Sequence, residues 1–186
     1  MNAGSLRWRG HLVAALLLAA LAHLATVWAL PRLIMDRIIT LADGEARAQG
    51  AGTGAYLPPP SDHTQRRIVM PSPDLLYATC AFDLGERSLR VQFATDYERY
   101  WSIALYASNS DNFFVINDRA AAGKVDLLLQ KGGAAVERAN PVPTGSQVVD
   151  APGTRGLLLL RMLVNDDPSV RAAAEAARGQ LRCLPQ

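Results

Sequence analysis

Histidine is scarce in this chain and absent from most of it. The 186 residues contain three histidines, His11, His23 and His63, and none follows residue 63. A nucleophile activated by histidine, or a histidine metal site, therefore has no residue to use in the rest of the chain. The motifs H-E-x-x-H and G-x-S-x-G are also missing. We accordingly nominate no catalytic, cofactor-binding or metal-binding residue, and expect no cofactor.

Cysteine and net charge are equally sparse. The two cysteines, Cys80 and Cys183, would pair in an oxidising compartment if the fold brings them together, and otherwise remain free thiols. The net charge is only +2, and from Arg66 onward fourteen Lys and Arg are interspersed with thirteen Asp and Glu. Without a basic stripe, we expect no nucleic-acid partner.

Formal charge is missing altogether from residues 11–30, HLVAALLLAALAHLATVWAL. A helix of that length spans about 30 Å, the thickness of the hydrocarbon core of a bilayer. We predict a short tail over residues 1–10 and a retained signal anchor over residues 11–30. The alternative is a signal peptide cleaved after Ala29, which would release a freely soluble periplasmic protein. Its apolar region would exceed the usual 7–15 or so residues.

Charge does not orient this span, because arginines lie on both sides of it, at Arg7 and Arg9 before it and at Arg32, Arg37 and Arg47 after it. The short N-terminal tail is the easier side to leave in the cytoplasm. We therefore expect a single-pass protein of the cytoplasmic membrane with its C-terminal domain in the periplasm.

One face of the span carries small residues. Ala15, Ala19, Ala22 and Thr26 share a narrow helical stripe, flanked by His23. Small side chains allow transmembrane helices to approach closely, and a polar group within the span favours a partner. The stripe indicates a helix–helix interface, unless it reflects only the alanine-rich composition.

Residues 31–43 continue with a helical pattern, and we predict a juxtamembrane helix there. It is either an interfacial helix or the anchor helix emerging from the bilayer. Residues 44–65 are rich in glycine and proline and predict a tether. Within them, residues 50–55 fit the dinucleotide pattern G-x-G-x-x-A, but a helix precedes them and prolines follow. That pattern requires a strand before it and a helix after it, so we do not expect nucleotide binding.

Residues 66–186 are typical of a β-rich domain, and the fold class we predict is mainly β, an antiparallel sandwich or barrel-like domain preceded by the transmembrane helix. Short runs of alternating or continuous apolar residues are separated by turn signals. The predicted strands are LLYATCAFDL, LRVQF, WSIAL, NFFVIN, VDLLLQ, QVVD and RGLLLLRMLV.

One C-terminal helix should close the chain, with Asp167 as N-cap, Pro168 in the first turn and Gly179 as its stop. The side chains expected to face the sheet are Val170, Ala173, Ala174, Ala177 and Leu181.

The polar stretch SNSDN, residues 108–112, lies between two aromatic-rich strands. Asn and Asp favour turns because their side chains bond to nearby backbone, so we predict the corner of a β-hairpin. The alternative is a calcium site at Asn109, Asp111 and Asn112, although the twelve-residue loop pattern with a terminal Glu is missing. A carboxylate-dependent enzyme would use acidic residues beside strand ends, of which the first to test are Asp74, Asp83, Asp111 and Asp118.

Three segments resemble the bacterial family called domain of unknown function 1254: PSPDLLYATCAFDL, YWSIALYASNSDNFF and VDAPGTRGLLLLRMLVNDDPSVRAAAEAARGQLRCLP. Residues 73–77 match its N-R-D-x-x-Y-like start, with Ser72 where an arginine would stand. Residues 111–114 match its Asn-containing loop, and residues 161–166 its R-x-x-V-x-[DG] strand end. The resemblance implies a β-rich, usually exported domain of unknown activity, commonly followed by a β-rich companion domain.

These patterns together predict a membrane-anchored envelope protein that is a binding or assembly subunit rather than an enzyme. Its expected partners are the lipid bilayer and either a separate β-rich companion protein or further copies of itself. The alternative is a carboxylate-dependent hydrolase acting on an envelope glycan or a lipid-linked substrate.

Overall fold

The computed structural model describes residues 3–50, 52, 54–62, 71–132 and 142–186. The N-terminal element is one helix, α1, at Ala3–Ala48. It includes Pro31 and runs without a break across the boundaries expected at residues 10, 30 and 43. A single proline removes one backbone hydrogen bond, and the alanine- and leucine-rich flanks propagate the helix around it. From Ala3 onward, the predicted tail, span and juxtamembrane helix thus form one element, which also takes up the first residues of the predicted tether.

Seven strands and a short helix follow before the C-terminal helix. Their bounds are β1 at Leu75–Asp83, β2 at Leu89–Ala94, β3 at Trp101–Ala107, β4 at Asn112–Asn117, α2 at Asp118–Ala121, β5 at Lys124–Lys131, β6 at Gln147–Ala151 and β7 at Arg155–Leu163. Then come α3 at Pro168–Arg178 and a last strand, β8, at Arg182–Pro185. The seven predicted strand segments are confirmed, because alternation and turn residues marked them locally. The segment Arg66 to Met70, where we placed the start of this domain, lies outside the described residues.

The strands form two four-stranded sheets. Sheet A has the order β1-β7-β3-β4 and is antiparallel throughout, whereas sheet B has the order β6-β5-β2-β8. In sheet B the pair β5–β6 is parallel and the other pairs are antiparallel. The mainly β class is therefore correct, but the expectation of an entirely antiparallel arrangement is wrong at this one pair. A parallel pair requires a long crossover rather than a hairpin, and local pattern does not show where such a connection returns.

The chain does not close with a helix, since β8 follows α3 and pairs with β2. Helix α3 itself begins and ends as predicted, with the Asp167 side chain accepting from Ser169 N and Gly179 at its end. Ala174, Ala177 and Leu181 are buried as expected, but Ala173 is exposed. At 100° per residue Ala173 lies at the edge of the buried stripe formed by Ala174 and Ala177, and it remains exposed.

The core lies between the two sheets and takes alternate residues from each strand. Phe93 of sheet B meets Trp101 of sheet A edge to face, with ring centroids 4.9 Å apart. A disulfide joins Cys80 and Cys183 within the same core, which resolves the two alternatives for these cysteines. The later described part of the predicted tether, residues 54–62, also contacts this domain: Ala55 is buried and Tyr56 bridges to Thr79. His63, Thr64 and Gln65 lie outside the described residues.

Candidate functional site

The second half of α1 packs on the outer face of sheet A, the face turned away from sheet B. Met35, Ile39 and Ala42 are buried there against Leu157 of β7. This three-to-four-residue spacing places them on one side of the helix. Beside them, Arg155 Nη1 lies 2.7 Å from Asp36 Oδ1 in an exposed ion pair. The buried contact and the ion pair together hold the second half of α1 on sheet A. They therefore set the direction in which the first half of the helix leaves the domain.

The first half of α1 has no comparable cover. Its side chains from Trp8 to Trp28 are all exposed. The helix is long and apolar enough to cross a membrane, as a signal sequence would also be. One continuous helix thus joins an exposed apolar segment to a segment buried against the domain.

The polar stretch before Asn112 is the corner of the β3–β4 hairpin, as predicted. Asp111 N donates to Asn109 Oδ1 at 3.2 Å, and Ser110 adopts a positive φ of 75°. The corner also contacts α1, because Ser110 Oγ donates to Pro31 O at 3.2 Å. The hairpin corner is therefore part of the junction between the helix and the domain.

The acidic residues nominated for an enzyme are not brought together. Asp74 and Asp83 lie at the two ends of β1, and Asp111 and Asp118 at the two ends of β4. These are opposite edge strands of sheet A, three strand spacings or roughly 14 Å apart. Asp83 Oδ1 accepts from Gly85 N, which is ordinary turn chemistry. No pair of these carboxylates faces another across a cleft.

The described residues show neither a metal-binding cluster nor the local structure of a dinucleotide site. Among the described residues, no group of three or more His, Cys, Asp or Glu side chains could hold a metal ion. Residues 50–55 follow a helix and lead into an extended segment, the reverse of the dinucleotide-binding arrangement, and Ala51 and Thr53 lie outside the described residues.

A row of polar side chains crosses the outer face of sheet A beyond the helix. Directly opposite one another in the strand register are Tyr77 of β1, Arg161 of β7, Ser102 of β3 and Asn117 of β4. Opposite residues in antiparallel strands share a face, with Cβ atoms about 5 Å apart. We refer to these four residues as the polar row. Tyr77 and Arg161 belong to two separate segments that carry the family resemblance, and the sheet makes them neighbours.

Two atoms of the polar row are buried without a hydrogen-bond partner: Arg161 Nε and Ser102 Oγ. Ser102 is only 1% exposed. Among the described residues, the Arg161 side chain forms one hydrogen bond, a long one from Nη2 to Tyr106 Oη at 3.4 Å. Within the described part of the chain, Arg161 forms no ion pair.

Two other partly or fully buried arginines are neutralised. Arg90 donates from Nε and Nη2 to the two carboxylate oxygens of Asp126, at 3.0 and 2.8 Å. Arg178 pairs with Glu175 and also donates to the carbonyl oxygens of Pro58 and Tyr77, at 2.7 and 2.9 Å. Within the described ranges, Arg161 differs from these two arginines because neither a carboxylate nor a carbonyl oxygen accepts from it.

Sequence reasoning missed the polar row. The available signal was the arginine in the apolar run LLLLRML, at an outward position shared with Leu157 and Leu159. A charged residue in such a run lies either on an exposed edge strand or against a specific polar partner. Only the strand order shows that Arg161 is on a central strand, since β7 lies between β1 and β3.

The comparisons with known proteins concern fold and family. The VPA0106 protein from Vibrio parahaemolyticus has a similar structure, with a TM-score of 0.57 at 16% identity, covering 87% of this chain and 36% of that one. A putative uncharacterized protein from Burkholderia cenocepacia gives a TM-score of 0.45 at 15% identity, covering 78% and 37% of the two chains. The chain thus spans little more than a third of the length of these solved structures.

No curated protein matches the sequence significantly. The family model described as protein of unknown function, DUF1254, matches residues 53–185, which include both sheets and α3. The resemblance noted in the sequence is therefore confirmed, and the chain belongs to the DUF1254 family.

Proposed function

We propose that this protein is a single-span membrane protein that holds its β domain at the outer surface of the cytoplasmic membrane, as a binding or assembly subunit. The observation that carries the proposal is α1, whose first half is apolar and exposed and whose second half is buried on sheet A. A soluble protein would leave the exposed half in water at a large hydrophobic cost.

The docked helix determines how far the domain stands from the bilayer. The uncharged run ends at Leu30, and Pro31 already contacts the β3–β4 corner through Ser110. Because Met35 and Ile39 are buried on the sheet, the domain does not move on a flexible tether. It therefore stands directly against the membrane surface, with the hairpin corner nearest the lipid.

The disulfide supports the periplasmic side. Cys80 and Cys183 are both buried and joined, and disulfides persist in oxidising compartments such as the bacterial periplasm. This agrees with the orientation in which only the short N-terminal tail stays in the cytoplasm.

A partner within the membrane completes the proposal. The stripe of Ala15, Ala19, Ala22 and Thr26, with His23 beside it, remains exposed on α1. Close helix packing through small residues would bury it against a second span, belonging to a separate β-rich companion protein or to another copy of this chain. The four nominated aspartates do not support the hydrolase alternative, because those of β1 and those of β4 lie on opposite edges of sheet A, so we do not propose it.

Anchoring and orientation are tested together by expressing the full-length protein with the single change Gly153→Cys, which adds a thiol between β6 and β7 at a position where a β-carbon meets nothing within 4 Å. We expect the intact chain in the membrane after alkaline carbonate extraction, and labelling of the new thiol by a membrane-impermeant maleimide in spheroplasts. A mature chain starting near Leu30, or labelling only after lysis, would overturn the proposal.

The rigid junction is tested with two aspartate substitutions on the same helix. Ile39 is 3% exposed and Leu41 is 46% exposed. We expect Ile39→Asp to release the helix, raising amide exchange over residues 35–42 by at least about tenfold, while Leu41→Asp leaves it unchanged. Equal behaviour of the two variants would show that the helix is not docked.

The partner is tested by crosslinking in native membranes before mild-detergent purification. We expect one defined crosslinked species, lost in the double variant Ala19→Leu and His23→Leu and retained in Ala20→Leu, which adds the same bulk on another face. Loss in both variants, or in neither, would contradict an interface at the stripe.

A further inference from the structure

We propose that α1 carries a binding site for anionic phospholipid at the outer surface of the cytoplasmic membrane, where Arg32 and Arg37 hold lipid phosphates. The proposal rests on the single-span insertion proposed above and names the lipid that this junction recognises. Two separate observations support it. Two exposed tryptophans mark where the bilayer begins and ends, and the two arginines beyond the second tryptophan have no acidic partner within the described residues.

Trp8 and Trp28 mark the two boundaries of the hydrocarbon core. Both side chains are exposed, at 66% and 64%. They lie twenty residues apart on one continuous helix, which corresponds to about 30 Å along its axis, the thickness of the hydrocarbon core of a bilayer. Tryptophan favours the membrane–water interface, because its ring is apolar and its indole N–H is polar. The outer boundary therefore lies at Trp28, about one turn before Arg32.

Arg32 is held at this boundary by Trp28. Its guanidinium carbon lies 4.4 Å from the centroid of the indole ring, and its Nη1 donates to Trp28 O at 2.5 Å. Among the described residues, nothing accepts from its Nε or Nη2, the edge of a guanidinium that donates two parallel hydrogen bonds to a phosphate. Arg32 therefore presents a free pair of donors at the level of the lipid headgroups.

The residues between the two arginines suit the rest of a phospholipid. Leu33 and Ile34 are 67% and 50% exposed, and they lie about 8 and 9 Å beyond Trp28 along the axis. Side chains on a helix tilt toward its N-terminus, which here is toward the bilayer, so these two reach the headgroup layer and the upper acyl chains. Arg37, exposed and one turn after Leu33, reaches back toward the phosphates in the same way.

The neighbouring acidic residues of α1 are already paired elsewhere. Asp36 pairs with Arg155 of β7 at 2.7 Å, and Asp43 pairs with Arg47 at 2.8 Å. Within the part of the chain that the structure describes, the two proposed lipid-binding arginines form no ion pair. Two such cations favour a lipid of net negative charge: phosphatidylglycerol brings a phosphate alone, whereas phosphatidylcholine also brings an ammonium that they repel.

The test measures quenching of Trp28 fluorescence by lipids with brominated acyl chains. The full-length protein carries Trp8→Phe, and Trp101, only 1% exposed in the domain core, contributes a constant background. Phosphatidylcholine vesicles contain either brominated phosphatidylcholine or the same amount of brominated phosphatidylglycerol. We expect both lipids to quench, and phosphatidylglycerol to be preferred near Trp28 by about fivefold for each contributing arginine.

Three variants locate the preference on the helix. Arg32→Gln and Arg37→Gln should each lower it by about fivefold, and the two changes together should remove it. Arg47→Gln is the matched control, because Arg47 is paired with Asp43 and lies about 28 Å beyond Trp28, so it should leave the preference unchanged. Excess inorganic phosphate should not compete, since a lipid phosphate is kept at the site by its acyl chains.

The outcomes separate this site from the anchoring on which it rests. No quenching by either lipid would show that the span is not inserted, and would overturn both this proposal and the proposed function. Quenching without a preference for phosphatidylglycerol, an equal loss of preference in Arg47→Gln, or removal of the preference by inorganic phosphate would overturn the lipid site alone.

Discussion

Cys80 of β1 and Cys183 of β8 join the two sheets covalently along one side of the sandwich. Each lies on an edge strand of its own sheet, and they are 103 residues apart in sequence. The bond therefore closes a loop that includes nearly the whole β domain, and it connects a strand near the start of that domain to the last one. Both cysteines are buried, so the link passes through the core rather than over the surface.

Removing this disulfide should destabilise the domain strongly. For a loop of this length, the chain-entropy model gives a loss of about 5 kcal/mol in the free energy of unfolding. The measurement is urea unfolding of the full-length protein with Cys80→Ala and Cys183→Ala, followed by near-ultraviolet circular dichroism. Wild-type protein in excess reductant is the matched control and should lose a similar amount. An unchanged midpoint in the double variant would contradict a structural role.

The Arg90–Asp126 pair should make stability depend on pH in the acid range. Arg90, with hydrogen bonds from Ser146 and Gln92, lowers the pKa of the Asp126 carboxyl to about 2. Since the pKa is lower in the folded state than in the unfolded one, the stabilisation is present above about pH 4 and is lost as the pH falls through about 2. The loss amounts to about 2 kcal/mol.

Comparing two asparagine variants isolates that contribution. Asp126→Asn should remove this part of the acid dependence and cost about 2 kcal/mol at neutral pH, because Arg90 loses its acceptor. Asp166→Asn breaks a 3.6 Å pair with Arg171 in which the aspartate is fully exposed, so it should leave the free energy of unfolding nearly unchanged. If the free energies of unfolding of the two variants agree from pH 7 to pH 2, the Arg90–Asp126 pair does not provide the acid-dependent stabilisation.

Gly156 should tolerate no side chain. It lies in β7 opposite Ala107 and Phe82, and a β-carbon there would collide with the carbonyl oxygen of Tyr106 and with the Phe82 ring. We expect Gly156→Ala to lower the free energy of unfolding by about 3 kcal/mol through overpacking. The control is Gly153→Ala, three residues earlier, where a β-carbon meets nothing within 4 Å. Similar midpoints in thermal unfolding for the two variants would contradict this.

The local elements were readable from the sequence. Alternation in LRVQF and the turn residues at Asn109 and Asp111 are short-range signals, and the strands and the hairpin corner appear where these signals predict them. Asp167 and Gly179 bounded α3 in the same way, since capping depends on residues within one turn of the helix. The helix at Asp118–Ala121 was missed because its cap, Asn117, also ends a strand pattern.

The pairing of distant segments depended on the tertiary structure. Sequence determined that residues 11–30 are apolar enough to span a membrane and that the remainder favours strands, because composition and periodicity are properties of neighbouring residues. Only the fold decided that α1 continues past Pro31 onto sheet A, that β5 and β6 run parallel, and that Cys80 meets Cys183. It alone placed Arg161 opposite Ser102, since strand order and register arise from contacts between residues far apart in the chain.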